Sequence, residues 1–270
     1  MIKLDKEHLS NPNRRSSKGN QMKWQKNGIW YKADDNGYEG LGEYVISKLL
    51  EKSSLKKEEY VDYDLETIEY GRQVLNGCKS MNFLKEGESI ITLERLFESN
   101  YGEKLTSLLL SIDDVGNKIK FVVNKTEQIT CIDDFGLYLS KILVIDSLFL
   151  NEDRHMNNIA VISDKNRRFR LCPIFDNGAA LLSDTKQDYP LNMDWHVLIK
   201  DVRSKSFDDD FAIQTDFLEQ EYGLGLTFSF NESDIISITD AAANYPLSVR
   251  ERVKKILIYQ RNKNLYYFDE

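Results

Sequence analysis

Between residues 133 and 150, apolar side chains recur at Phe135, Leu139, Ile142, Leu143, Ile145 and Phe149, the spacing of a helix with an apolar face. That helix runs straight into the polar stretch NEDRHMNNIAV at 151–161. Residues 158–163 and 169–175 then read as two short strands joined by a polar turn at 164–167. A hairpin of this kind brings the chain back to the edge it left, so a second polar loop, Ile174-Phe-Asp-Asn-Gly178, arrives beside the first. Taken singly, each loop reads as a solvated connection, and FDNG as a turn in which Asn-Gly favours positive φ. Together, in this order, they constrain the fold far more than either does alone.

Upstream the reading changes. A turn at 26–28 leads into an aromatic-rich strand at 28–33, and residues 39–52 place Leu41, Val45, Ile46, Leu49 and Leu50 at helical spacing with Glu43 near the edge of the apolar face. Strands are expected at 60–70 and 88–96. Beyond residue 100 helices dominate, at 105–112, 133–150, 209–222, 231–244 and 248–262. The expected class is α+β and bilobal. A small β-rich N-lobe with one main helix spans 1–97, a larger α-helical C-lobe spans 98–270, the connection lies near 94–98, and a ligand cleft lies between the lobes.

A chain of 270 residues that is 41% hydrophobic can bury a substantial core. Its formal charge of -8 argues against a general nucleic-acid binder. One stretch runs the other way: Arg14, Arg15, Lys18, Lys23 and Lys26 are clustered with no acid among them, as a mobile basic arm or a polyanion site would be. Cys78, Cys131 and Cys172 suggest neither a disulfide framework nor a metal site and read as reduced thiols of a cytoplasmic protein. No apolar run approaches bilayer length and no cleavable signal is apparent, which leaves delivery by a dedicated secretion system open.

Phosphoryl transfer from ATP needs a cation on the phosphates, an acid and an amide to hold metal, and a carboxylate at the attacking hydroxyl. Asp153 is the candidate for that last role. Asn158 and Asp176 offer hard oxygens for Mg²⁺, with Mn²⁺ as the alternative ion.

At this level the chain resembles the HipA-like serine/threonine kinases of bacteria, a branch of the protein-kinase-like superfamily, and their compact translocating members. DRHMNN and FDNG match the family's catalytic and metal-binding loops, and Gly19, Gln21 and Lys23 match the G-x-Q-x-K of its phosphate loop, with Asn20 between them. The resemblance implies that Lys32 touches ATP phosphates and pairs with Glu43, and that backbone groups of 93–96, with Glu94, Arg95 and Leu96, receive the adenine. It implies that His155 contacts the loop backbone or a phosphate; His8 and His196 form no ligand spacing with it, which argues against zinc. It also implies autophosphorylation at Ser16, with Ser17 as the neighbouring hydroxyl. Asp146 and Arg154 are expected to brace the catalytic loop.

The activity so implied is transfer to Ser or Thr of a protein substrate, with a cognate antitoxin or regulator as the family's kind of partner and no membrane or nucleic-acid partner. DRHxxN is shared with phosphoinositide kinases, so a lipid or small-molecule kinase is the alternative. A catalytically silent nucleotide-binding regulator is a third reading, of another class. The family's toxin role is not implied by these motifs, because the extra N-terminal subdomain of its full-length members is not apparent.

Overall fold

The computed structural model describes residues 1–10 and 21–269. In chain order the strands and helices are β1 (Ile2–Leu4), β2 (Lys23–Lys26), β3 (Ile29–Ala33), α1 (Glu39–Leu50), β4 (Asp64–Tyr70), β5 (Gln73–Met81), β6 (Ser89–Thr92), α2 (Leu93–Tyr101), α3 (Leu105–Leu110), α4 (Val115–Thr130), α5 (Phe135–Phe149), β7 (Ala160–Ser163), β8 (Phe169–Leu171), α6 (Trp195–Leu198), α7 (Phe211–Tyr222), α8 (Glu232–Ala241) and α9 (Leu247–Lys263). Five strands form one sheet in the order β1-β4-β5-β3-β2, with β1 parallel to β4 and the other neighbours antiparallel. Strands β6, β7 and β8 form a second, antiparallel sheet. The result is a bilobal, kinase-like α+β fold.

The structure departs from the sequence reading at 88–96 and in further elements. The run expected as one strand at 88–96 is strand only to Thr92, whose hydroxyl then accepts the amide of Arg95 and starts α2. The chain passes from the first sheet to the second at 82–88, where β6 goes on to pair with β7. Strand β5 and helix α4 are among the elements beyond those the sequence spacing predicts. α4 is capped by Asp114, which accepts the amide of Asn117, and buries Ile119, Val122, Val123, Thr126 and Thr130.

Helix α1 lies against β5 because Gly40 meets Gly77: a Cβ on Gly40 would stand 2.6 Å from the Gly77 carbonyl carbon and 2.7 Å from its Cα. Its apolar face, Leu41, Val45, Ile46 and Leu49, does not form a private core with the sheet but joins the main core of the helical lobe. The sheet keeps a small core of its own around Leu4, Trp24, Tyr31 and Ile68. Both ends of α1 are tied to the helical lobe. At the start, the Tyr38 amide donates to Ser183 O and its hydroxyl to Leu181 O; at the end, the Ser54 amide donates to Thr227 O and the Ser229 amide to Lys52 O. Among the described residues, no helix is long and apolar enough to cross a membrane.

Asp34 closes the same junction, accepting the Gly40 amide at 2.6 Å and the Tyr245 hydroxyl at 2.8 Å. Burial pushes its carboxyl up to about 7, against the lowering effect of the Gly40 amide. The folded state therefore holds this proton where the unfolded chain would release it, so stability falls as pH rises from the ordinary carboxylate range to about 7 and is level beyond. Asp34→Asn is expected to remove that slope, melting above the wild type at pH 8 and close to it at pH 4, as thermal scans at the two pH values would show.

Candidate functional site

A cleft of about 1140 Å³ opens between the five-stranded sheet and the helical lobe. Lys23 and Lys32 line it from the sheet, Phe83 and Leu84 from the segment joining the sheets, and Asp153, Asn158 and Asp176 from the opposite wall.

The wall is built from the end of α5. The helix stops at Leu150, a left-handed residue with φ 58°, and the Asn151 amide returns to Asp146 O while its side-chain amide donates to Asp146 Oδ1 at 2.8 Å. Arg154 then folds inward. Its Nε sits 2.9 Å from Asp146 Oδ2, one terminal nitrogen donates to Phe175 O at 2.6 Å and to Asn158 O, and the other to Asn177 Oδ1 at 2.6 Å. Both members of the Arg154–Asp146 pair are fully buried. A single guanidinium thus bonds the DRHMNN loop to the FDNG loop, which is why the hairpin delivers the two loops in register.

Lys32 and Glu43 are neither exposed nor solvated. Lys32 Nζ lies 2.5 Å from Glu43 Oε1, 2.7 Å from Asp176 Oδ1 and 3.3 Å from the Tyr63 hydroxyl. Glu43, 1% exposed, uses its second oxygen to accept the Asn177 amide at 2.9 Å. Burial alone would lower the Lys32 ammonium, but the Asp176 and Glu43 carboxylates outweigh it and hold the group well above the ordinary lysine range. Burial alone would likewise raise the Asp176 carboxyl, yet Lys23, whose Nζ is 3.7 Å away, together with Lys32 and Arg154, keeps it well below the usual carboxylate range.

The FDNG turn is not the Asn-Gly turn that its sequence suggests. The left-handed residue is Asp176, φ 63°, and Gly178 serves instead for close approach: a Cβ there would stand 3.2 Å from Glu39 O and 3.4 Å from Glu43 Cγ. Asn158 donates its side-chain amide to Asp153 O at 3.0 Å, and its Oδ1 has no hydrogen bond among the described residues. Asp153 meets Lys205 Nζ at 3.3 Å and His155 Nε2 at 4.0 Å. His155 also accepts the Asn157 amide at Nδ1, so it touches the loop backbone.

Gln21 lines the cleft, whereas Ser16, Ser17, Gly19 and Asn20 lie outside the described residues. The segment expected to receive the adenine is 93–96. Those residues are helical, the Leu93 and Glu94 amides already donate to Ile159 O and Met156 O, the Glu94 carboxylate accepts from Thr106, and Leu96 is in the core. Only Arg95 of that group lines the cleft. The backbone between the sheets is 82–88, where Phe83 and Leu84 give the cleft an apolar lining. Asn177, inside FDNG itself, also belongs to the site, accepting from Arg154 at Oδ1 and donating its backbone amide to Glu43.

No protein-family model matches the chain, and no curated protein matches it. Among solved structures it is similar to the crystal structure of a Helicobacter pylori proinflammatory kinase, CtkA, with 15% sequence identity, a TM-score of 0.58, and 97% of this chain and 95% of that chain covered. At that identity the likeness is one of fold.

Proposed function

We propose that this protein is an ATP- and Mg²⁺-dependent phosphotransferase of the HipA-like branch, transferring the γ-phosphoryl to a Ser or Thr hydroxyl of a protein and to its own Ser16 or Ser17. The observation that carries this reading is the joined set: Lys32, Glu43 and Asp176 in one ionic cluster on the cleft that also holds Asp153 and Asn158. A binder without chemistry needs no carboxylate opposite its phosphate cations.

The residues fit a hard divalent cation. Asn158 Oδ1 is free of hydrogen bonds among the described residues, and Asp176 stays ionised at any physiological pH. Bound Mg²⁺ would supply charge neutralisation on the transferring and leaving phosphate oxygens. The rest belongs to the chain. Lys32, kept cationic by its two acids, holds the donor phosphates. Asp153 orients the acceptor hydroxyl and takes its proton, and Arg154 keeps that carboxylate and the Asp176 loop at a constant separation.

Purified protein incubated with γ-labelled ATP and Mg²⁺, alone and with cell lysate, is expected to transfer label to protein. Chelator should stop it, and Asp153→Ala should lower it at least ~10²-fold. Peptide mapping should place self-label on Ser16 or Ser17. A wild type that labels nothing, even after phosphatase treatment, defeats the proposal, and label recovered in the lipid fraction would redirect it to a lipid kinase.

A further inference from the structure

Lys205 lies fifty-two residues beyond Asp153 in sequence, in a segment to which no motif draws attention, and yet its ammonium stands 3.3 Å from Asp153 Oδ1. Surface lysines rarely hold one position, because a long side chain loses rotamer freedom for a screened attraction. Here the backbone is what is held. Gln214 of α7, fully buried, donates to Ser204 Oγ at 2.7 Å and accepts the Phe207 amide at 3.2 Å, so it grips the turn on both sides of Lys205. The Ser204 amide donates to Asp209 O, and Ser206 Oγ donates to Arg154 O at 2.8 Å, which fastens the turn to the DRHMNN loop itself. Phe207 is buried in the main core. The lysine side chain, 46% exposed, reaches from the rim inward to a carboxylate that is 10% exposed.

The placement of charge gives this lysine a task. Lys23 and Lys32 gather around Asp176, on the side where donor phosphates would sit. On the Asp153 side, where the acceptor would enter, Lys205 holds an ammonium against the carboxylate, and among the described residues His155 is its next cationic neighbour, at 4.0 Å. We propose that Lys205 is a catalytic residue of the transfer, the acceptor-side cation that meets the migrating phosphoryl group. In the step, the bond from γ-phosphorus to the β-phosphate oxygen breaks, releasing ADP, and a bond from γ-phosphorus to the acceptor oxygen forms. The acceptor proton passes to the Asp153 carboxylate, whose negative charge is thereby lost. Lys205 keeps its protons, and its charge, no longer engaged by Asp153, turns to the phosphoryl oxygens. This inference rests on the phosphotransferase reading.

The test compares Lys205→Met and Lys205→Arg with the full-length wild type, using γ-labelled ATP, Mg²⁺ and whichever acceptor the wild type labels. Lys205→Met is expected to lower the maximal rate about 10²-fold. Its half-saturating ATP concentration should stay within about twofold, as for an interaction made only in the transition state. Lys205→Arg should recover most of the rate, and melting temperatures of all three should coincide. An unchanged maximal rate in Lys205→Met, a higher half-saturation without a rate loss, an Arg variant as slow as the Met variant, or a melting temperature that falls with the rate would each overturn the assignment. Those results leave the phosphotransferase reading standing, whereas a wild type without transfer removes both.

Discussion

Asp176→Asn is expected to lower phosphoryl transfer about a thousandfold, the equivalent of roughly 4 kcal/mol of lost charge stabilisation. The substitution is conservative in shape, and Asn tolerates the left-handed backbone that Asp176 adopts. What it removes is one charge from a cluster of Lys23, Lys32 and Glu43. Lys32 keeps Glu43, so the cluster stays assembled, but the cleft wall loses its ionised hard oxygen and gains net positive charge. Binding of ATP without metal should therefore persist or tighten, while the enhancement of binding by Mg²⁺ disappears. Calorimetric titration of ATP with and without Mg²⁺, beside single-turnover transfer, checks both halves. Equal Mg²⁺ enhancement in the variant and the wild type would place the metal elsewhere.

Arg154→Met is expected to destabilise the fold by about 3–5 kcal/mol, the usual cost of breaking a buried ion pair from one side. It leaves the Asp146 carboxylate, which is fully buried, with Asn151 as its sole remaining side-chain donor among the described residues, and it deprives Phe175 O and Asn177 Oδ1 of theirs. Urea denaturation of the variant measures the loss. The double variant Asp146→Asn/Arg154→Met should lose less than the sum of the single changes, because the orphaned charge is then gone. Additive losses would mean that the two residues act separately, against the geometry.

Much of this site is legible in the linear sequence because its parts are local. The buried face of α5, the polar loop at its end and the hairpin that returns to FDNG follow one another without interruption, and each is set by spacing or by turn chemistry. Lys32 and Glu43 likewise sit on neighbouring elements, eleven residues apart. What escapes is non-local or contradicted by its surroundings. β5 is the central strand of its sheet, but Asn76, Gly77, Lys79 and Ser80 blur any alternation, and only pairing on both sides makes it a strand. The segment 88–96 begins as a strand, and a single hydroxyl, that of Thr92, turns the remainder into a helix. α4 did carry a readable pattern, with apolar positions three and four apart behind an Asp cap. Lys205 had no such signal, since its meaning comes from a contact made across the fold.

Helix α1 shares its apolar face with the helical lobe and is bonded to that lobe at both ends, while Gly40 and Gly77 press it onto β5. Its acid, Glu43, grips a strand with one oxygen and the Asp176 loop with the other. A tilt of α1 would therefore break contacts in three places at once. The position of α1 beside the cleft is thus a property of the fold itself, fixed by both lobes together.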